Sequence, residues 1–131
     1  MIAIDTNVLL RLFINDDEQQ ATKARALFES QAANGQFLWV ADIVLAELVW
    51  ALDKRYARPR AAVCAALNAL TENATVVAES SDCLDEVITL YEQGPAGFVD
   101  CLLAVKARRA GCNALRTFEK KMKSLPGVKL L

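Results

Sequence analysis

Four carboxylates fall at positions where a structural use and a chemical one must be weighed against each other. Glu47 is the only charge between Asp42 and Asp53, inside the run Ile-Val-Leu-Ala-Glu-Leu-Val-Trp-Ala-Leu at 43–52. A helix apolar on nearly every face is normally buried. The helical neighbours Ile43, Val44, Trp50 and Ala51 offer Glu47 no partner. An ionised carboxylate buried alone costs energy on the scale of the whole stability margin. Glu47 is therefore expected to meet a cation or a water-filled cleft, to lose its charge, or to form a buried ion pair with an arginine.

Asp5 ends the first expected strand, where the chain leaves the sheet. Ligands of open α/β sheets bind beyond the carboxyl ends of strands, and a plain helix cap is the other use for an acid there. Asp100 lies in the first turn of an expected helix at 98–110, where the helix dipole alone also favours a carboxylate. Glu119, in Thr-Phe-Glu-Lys-Lys at 117–121, follows an expected strand at 113–116. It should share a sheet edge with Asp5, unless it is an ordinary first-turn acid.

The chain contains no histidine. That excludes a Ser-His-Asp triad, a Cys-His dyad and any imidazole-ligated metal. Converging carboxylates with open positions instead make a hard-oxygen site suited to Mg2+ or Mn2+. Such ions hydrolyse phosphodiesters by activating water and stabilising the leaving oxygen. Thr6, Asn7 and Thr117 can add hydroxyl or amide groups beside the scissile phosphate. A phosphorelay receiver needs paired acids near its start, and a haloacid-dehalogenase-type phosphatase needs Asp-x-Asp after the first strand. Here Asp5 is followed by Thr6 and Asn7.

The elements that must position these residues alternate. Strands are expected at 1–4, 37–41, 74–78, 113–116 and 128–131. Helices are expected at 8–14, from Asp16-Asp17-Glu18 to about 33, from an Asp42 cap to about 56, and from Pro59 to about 70. Others should run from a Ser80-Ser81-Asp82 cap to 92, over 98–110, and over 118–123. Such alternation implies an α/β fold, a three-layer α/β/α sandwich with a mostly parallel central sheet. The 131 residues suit one domain spanning 1–131. With 54% hydrophobic and 24% charged residues the composition is that of a globular protein. No apolar run is long enough to span a bilayer, and Met-Ile-Ala-Ile-Asp does not read as a signal peptide.

Cys64, Cys83, Cys101 and Cys112 lack CxxC spacing and sit mostly in apolar runs. Buried free thiols in a reducing, cytoplasmic setting are expected. Net charge is only −1, but acids fill 72–92 while bases cluster at 54–60, 106–109 and 120–123. This division can present a positive surface to a polyanion, or reflect solvated helix faces.

Four segments together resemble PIN-domain nucleases. Ile4-Asp-Thr-Asn-Val-Leu9 is similar to their opening motif, and Leu45-Ala-Glu-Leu-Val-Trp50 to their central Glu helix. Gly97-Phe-Val-Asp-Cys-Leu-Leu-Ala104 resembles the second Asp motif, and Arg116-Thr-Phe-Glu-Lys-Lys121 the last. The size and the Ile-Asp-Thr-Asn start are most similar to the toxin half of VapBC-type toxin–antitoxin pairs. The resemblance implies a Mg2+- or Mn2+-dependent endoribonuclease that acts on RNA, forms a homodimer and is inhibited by a cognate antitoxin. It makes Asp5, Glu47 and Asp100 ligands of the metal or its water, with Thr6 and Thr117 as supporting polar groups. One departure stands out: the family's last motif usually carries Asp, and here it carries Glu119. The alternative that this departure raises is a PIN fold that binds RNA or protein with weak or no cleavage.

Overall fold

The computed structural model describes residues Met1 to Leu131. They fall into two compact units, Met1–Ser81 and Asp82–Leu131.

In the first unit, β1 (Ile2–Ala3), β2 (Leu38–Val40) and β3 (Val76–Ala78) form a parallel sheet in the order β1-β2-β3. Parallel neighbours require crossovers, and helices supply both. α1 (Thr6–Phe13) and α2 (Glu18–Ala33) connect β1 to β2. α3 (Asp42–Trp50), a π-helical turn (Ala51–Arg55) and α4 (Arg60–Glu72) connect β2 to β3. The middle strand buries Leu38 and Val40 completely. β1 is an edge strand, so the burial expected over 1–4 is reached only at Ile4, while Ile2 stays 42% exposed. Pairing continues past β1 through the Ile4 N–H, which donates to the Trp39 carbonyl at 3.1 Å. Asp5 is the next residue.

Two caps differ from the sequence expectation. Ala41, not Asp42, is the N-cap of α3. The Asp42 carboxylate instead accepts from the Ser80 hydroxyl at 2.7 Å, and the Asp42 N–H donates to Glu79 at 3.0 Å. These bonds tie the carboxyl ends of β2 and β3 together, so Ser80 is buried in the first unit rather than capping the next helix. The helix expected to run unbroken to about Tyr56 changes character after Trp50. The Tyr56 N–H reaches back five residues to the Ala51 carbonyl at 3.0 Å, and the Arg58 N–H reaches Leu52 at 2.8 Å. Ala57 closes the end with φ 50°, the left-handed conformation that commonly terminates helices.

In the second unit, α5 (Leu84–Gln93) packs on α6 (Phe98–Arg109). Tyr91 and Phe98 meet edge to face at 5.9 Å, over a core that includes Val87, Cys101 and Val105. β4 (Leu115–Thr117) pairs in parallel with β5 (Val128–Leu130), with a 3-10 turn (Lys120–Met122) between them in sequence. The parallel α/β character expected from the alternation holds, with the strands divided between a three-stranded and a two-stranded sheet. The basic run at 106–109 does not form an open cationic surface. Arg109 pairs with Asp82 at 2.7 Å and Arg108 pairs with Glu86, both acids from the 72–92 run. Cys64, Cys83 and Cys101 are buried free thiols, but Cys112 is exposed, because it lies beyond the end of α6. No helix is long and apolar enough to cross a membrane.

The link between α1 and α2 is held by Asp16, which pairs with Arg11 and accepts from the Tyr56 hydroxyl at 3.1 Å. Desolvation pushes the Asp16 carboxyl upward, and the Tyr56 hydrogen bond and the Arg11 guanidinium outweigh it, leaving it below the ordinary carboxylate value. A carboxyl lowered by folding adds stability above its unfolded value, and that stability disappears as pH falls through the folded one. Asp16→Asn should therefore melt below the parent at neutral pH, with the gap closing as pH drops below 3.8. Paired thermal melts across pH check this; a gap independent of pH would show that the carboxylate charge is not what Asp16 contributes.

Candidate active site

Asp5 follows the last β1–β2 bond and takes an extended conformation, φ −95° and ψ 178°. Its Oδ1 accepts from the Val8 N–H at 3.2 Å, so it is the N-cap of α1. The two uses the sequence left open for Asp5 thus coexist: one oxygen caps, and the other makes no hydrogen bond to the protein. With Asp5 as cap, α1 starts at Thr6, two residues before the expected start.

Thr6 turns toward α3. Its hydroxyl donates to Glu47 Oε2 at 2.8 Å, a bond between residues 41 apart in sequence. Glu47 is exposed, contrary to the burial expected from its apolar surroundings. α3 buries only one stripe, Leu45, Leu48 and Val49, while Ile43 and Trp50 remain 67% and 61% exposed. Apolar composition all round a short helix therefore overstated its burial. The buried arginine pair does not form, and Glu47 opens onto a cleft instead. Asp5, Thr6, Asn7, Glu47, Trp50 and Arg55 all face a cleft of about 460 Å³.

The remaining candidates belong to the second unit. Asp100 is half-buried, and its Oδ2 accepts from the Gly97 N–H at 3.3 Å, the helix-cap role available to it. A side chain at position 97 would sit about 3.5 Å from that oxygen. Glu119 is exposed and caps the 3-10 turn, accepting from the Lys121 N–H at 2.9 Å. Thr117 Oγ1 accepts from the Glu119 N–H at 3.0 Å. β4 pairs with β5 alone, so sheet pairing does not place Glu119 on the β1 edge, as expected from strand order. Within neither unit do three or more acids or thiols gather as a ready metal-holding group.

The structure thus unites Asp5, Thr6 and Glu47, and it adds two residues that sequence reasoning did not assign. Trp50 was read as part of an apolar run, and Arg55 as one member of a basic cluster. The three-residue spacing of Glu47 and Trp50 was the available signal for the first. Nothing in the sequence marked the π turn that ends at Arg55.

Beyond its first strand the parallel α/β unit carries a cleft in which Asp5, Thr6 and Glu47 present oxygen atoms. The PIN domain model matches residues 2–128, and the chain belongs to the PIN domain family. A VapC ribonuclease of Aquifex aeolicus (strain VF5) is 29% identical over 125 residues, covering 95% of this chain and 92% of that protein. The crystal structure of the Sarcin-Ricin loop cleaving toxin VapC20 of Mycobacterium tuberculosis matches 98% of this chain and 97% of its own. Its identity is 21% and its TM-score 0.44.

The Thr6–Glu47 bond is testable alone. Thr6→Val keeps the shape and removes the donor, and should lower stability by about 1 kcal/mol, less than a buried bond to a charged group because this one is exposed. Thr6→Ser should retain most of it. Denaturant melts of the three proteins decide; a Val variant as stable as the parent would show that the hydroxyl bond contributes nothing.

Proposed function

We propose that the chain is a divalent-metal-dependent endoribonuclease and the toxin of a type II toxin–antitoxin pair. The observation that carries the reading is the cleft in which Asp5 and Glu47 face the same space, with Thr6 holding one Glu47 oxygen. Each of the two carboxylates keeps one oxygen free of hydrogen bonds to the protein, and no thiol lines the cleft. An all-oxygen donor set fits a hard cation such as Mg2+ or Mn2+. Asp5 and Glu47 would hold it, and when bound it would supply an activated water and offset charge on the phosphate.

The chain's own residues do the positioning. Thr6 fixes the Glu47 rotamer, and the Asp5 cap sets the direction in which its second oxygen points. The Asn7 amide, on the cleft wall, is placed to donate to a phosphate oxygen. Asp100, Thr117 and Glu119 are assigned functional roles by their motifs alone, Asp100 as a further metal ligand. The match over 2–128 runs through both compact units, which supports reading 1–131 as one PIN domain. Similarity to a VapC ribonuclease supports an RNA substrate and an antitoxin partner, and a homodimer and a cytoplasmic setting are what the family resemblance implies. The binding-only alternative draws on Glu119, whose carboxylate is engaged in a local cap.

Cleavage of a mixed RNA pool should require Mg2+ or Mn2+ and stop in excess EDTA. Asp5→Asn, Glu47→Gln and Asp100→Asn should each reduce it to background while remaining folded. Added Mn2+ should raise the melting temperature of the parent more than that of Glu47→Gln, because the cation binds only the folded site. Full cleavage in EDTA overturns the reading. RNA binding without cleavage under any metal favours the binding module.

A further inference from the structure

Beside the carboxylates the cleft carries Trp50 and Arg55. Trp50 follows Glu47 by three residues, so the two are neighbours on the α3 surface. It is 61% exposed. A single exposed aromatic is ordinary on a protein surface, but this indole forms part of a cleft wall that also carries Asp5 and Glu47. Arg55 lines the same cleft and has no acid within ion-pair distance, whereas Arg11, Arg108 and Arg109 are all paired. It is the last residue of the π turn. A π turn admits an extra residue and re-aims the side chains after it, and such turns are frequent at functional sites. The cleft thus holds an uncovered aromatic face and an uncommitted guanidinium beside two carboxylates.

We propose that Trp50 and Arg55 form a nucleotide subsite: an unpaired base next to the scissile bond stacks on the Trp50 indole, and its phosphate pairs with Arg55. This rests on the reading of Asp5 and Glu47 as the hydrolytic centre. An indole face takes any base, because every base has a π-face. Within a duplex both faces of a base are covered by stacking, so the subsite selects unpaired RNA, such as loops and single strands. Arg55 supplies the positive charge that an acidic cleft needs beside a polyanion, in a fork that fits phosphate oxygens. Trp50 and Arg55 thus set how tightly one substrate nucleotide is held, by shape more than by base identity.

The test uses the full chain and labelled oligomers, with binding read by fluorescence anisotropy in EDTA. Single-stranded oligo(A), oligo(A) annealed to oligo(U), and an abasic ribose-phosphate oligomer are compared for the parent, Trp50→Leu, Trp50→Phe and Arg55→Ala. The parent should bind the single strand more tightly than the duplex. Trp50→Leu should lose roughly 5- to 100-fold in affinity for oligo(A), the effect of removing one base–aromatic stack. It should lose nothing on the abasic oligomer, and Trp50→Phe should recover most of the loss. Arg55→Ala should flatten the salt dependence by about 0.7 in log K per log salt, the loss of one phosphate contact on a single strand. Unchanged oligo(A) binding by Trp50→Leu, equal loss on the abasic oligomer, or no parental binding to oligo(A) each overturns the subsite. Cleavage assayed separately with Mn2+ tells the two readings apart. Metal-dependent cleavage with Trp50-independent binding removes the subsite and leaves the hydrolytic centre. Trp50-dependent binding without cleavage removes the hydrolytic centre and leaves the subsite.

Discussion

The parallel pairing of β1 with β2 is the constraint from which the rest of the cleft follows. A two-residue edge strand contributes little by itself, and its register is held by Ile2 against Leu38 and Ala3 against Trp39 on a strand whose own Leu38 and Val40 are fully buried. Because the pairing ends with Ile4 on Trp39, Asp5 is the first residue free of the sheet. A slip of one residue would turn the side chains of β1 to the opposite face, and Asp5 would lose its place at the head of α1. The chain must turn at once to begin a helix, so Asp5 is both the cap of α1 and a wall of the cleft.

The Thr6–Glu47 bond then joins that helix to α3. It couples the residue after the sheet edge to the middle of a helix from the other crossover. The hydroxyl restrains a long, flexible carboxylate that would otherwise lose its position to side-chain entropy. Holding a side chain by a neighbour is how a cleft on an exposed surface keeps its geometry. It also explains why a charge can sit in so apolar a helix. The uncovered flank marked by Ile43 and Trp50 leaves Glu47 exposed, with one oxygen free of protein hydrogen bonds and the other bonded to Thr6.

Charge is organised by the same economy of partners. Acids at 82 and 86 neutralise arginines at 109 and 108 within the second unit, and Asp16 neutralises Arg11 within the first. Arg55, like Arg25 and Arg58, takes no part in these pairs. Its position depends on the change of hydrogen-bond pattern after Trp50, where Tyr56 bonds five residues back and Ala57 turns left-handed to end the helix. The strain of a non-glycine residue in that conformation is of the kind found at functional positions.

Much of the architecture was legible in the sequence because it depends on local signals. The order of strands and helices, the start of α2 at Asp17-Glu18, the break at Pro59 and the apolar β2 all follow from periodicity and capping chemistry, which act over a few residues. The four motifs, read in order, were enough for the family, and the lack of histidine was enough to exclude whole classes of chemistry. What the sequence could not decide were matters of solvent access and distant partners. Glu47 was expected in the interior, but which stripe of an apolar helix is covered depends on what packs against it. Asp42 and Ser80 looked like helix caps, yet they bond to each other across 38 residues, because the sheet brings the ends of β2 and β3 together. The basic run at 106–109 left a polyanion surface and a solvated helix face both open, and Arg108 and Arg109 meet acids more than 20 positions earlier in the chain. Trp50 and Arg55 share a cleft only through the turn between them. Local rules set the elements and the residue types; which of those residues face one another is decided by packing, which no short stretch of chain contains.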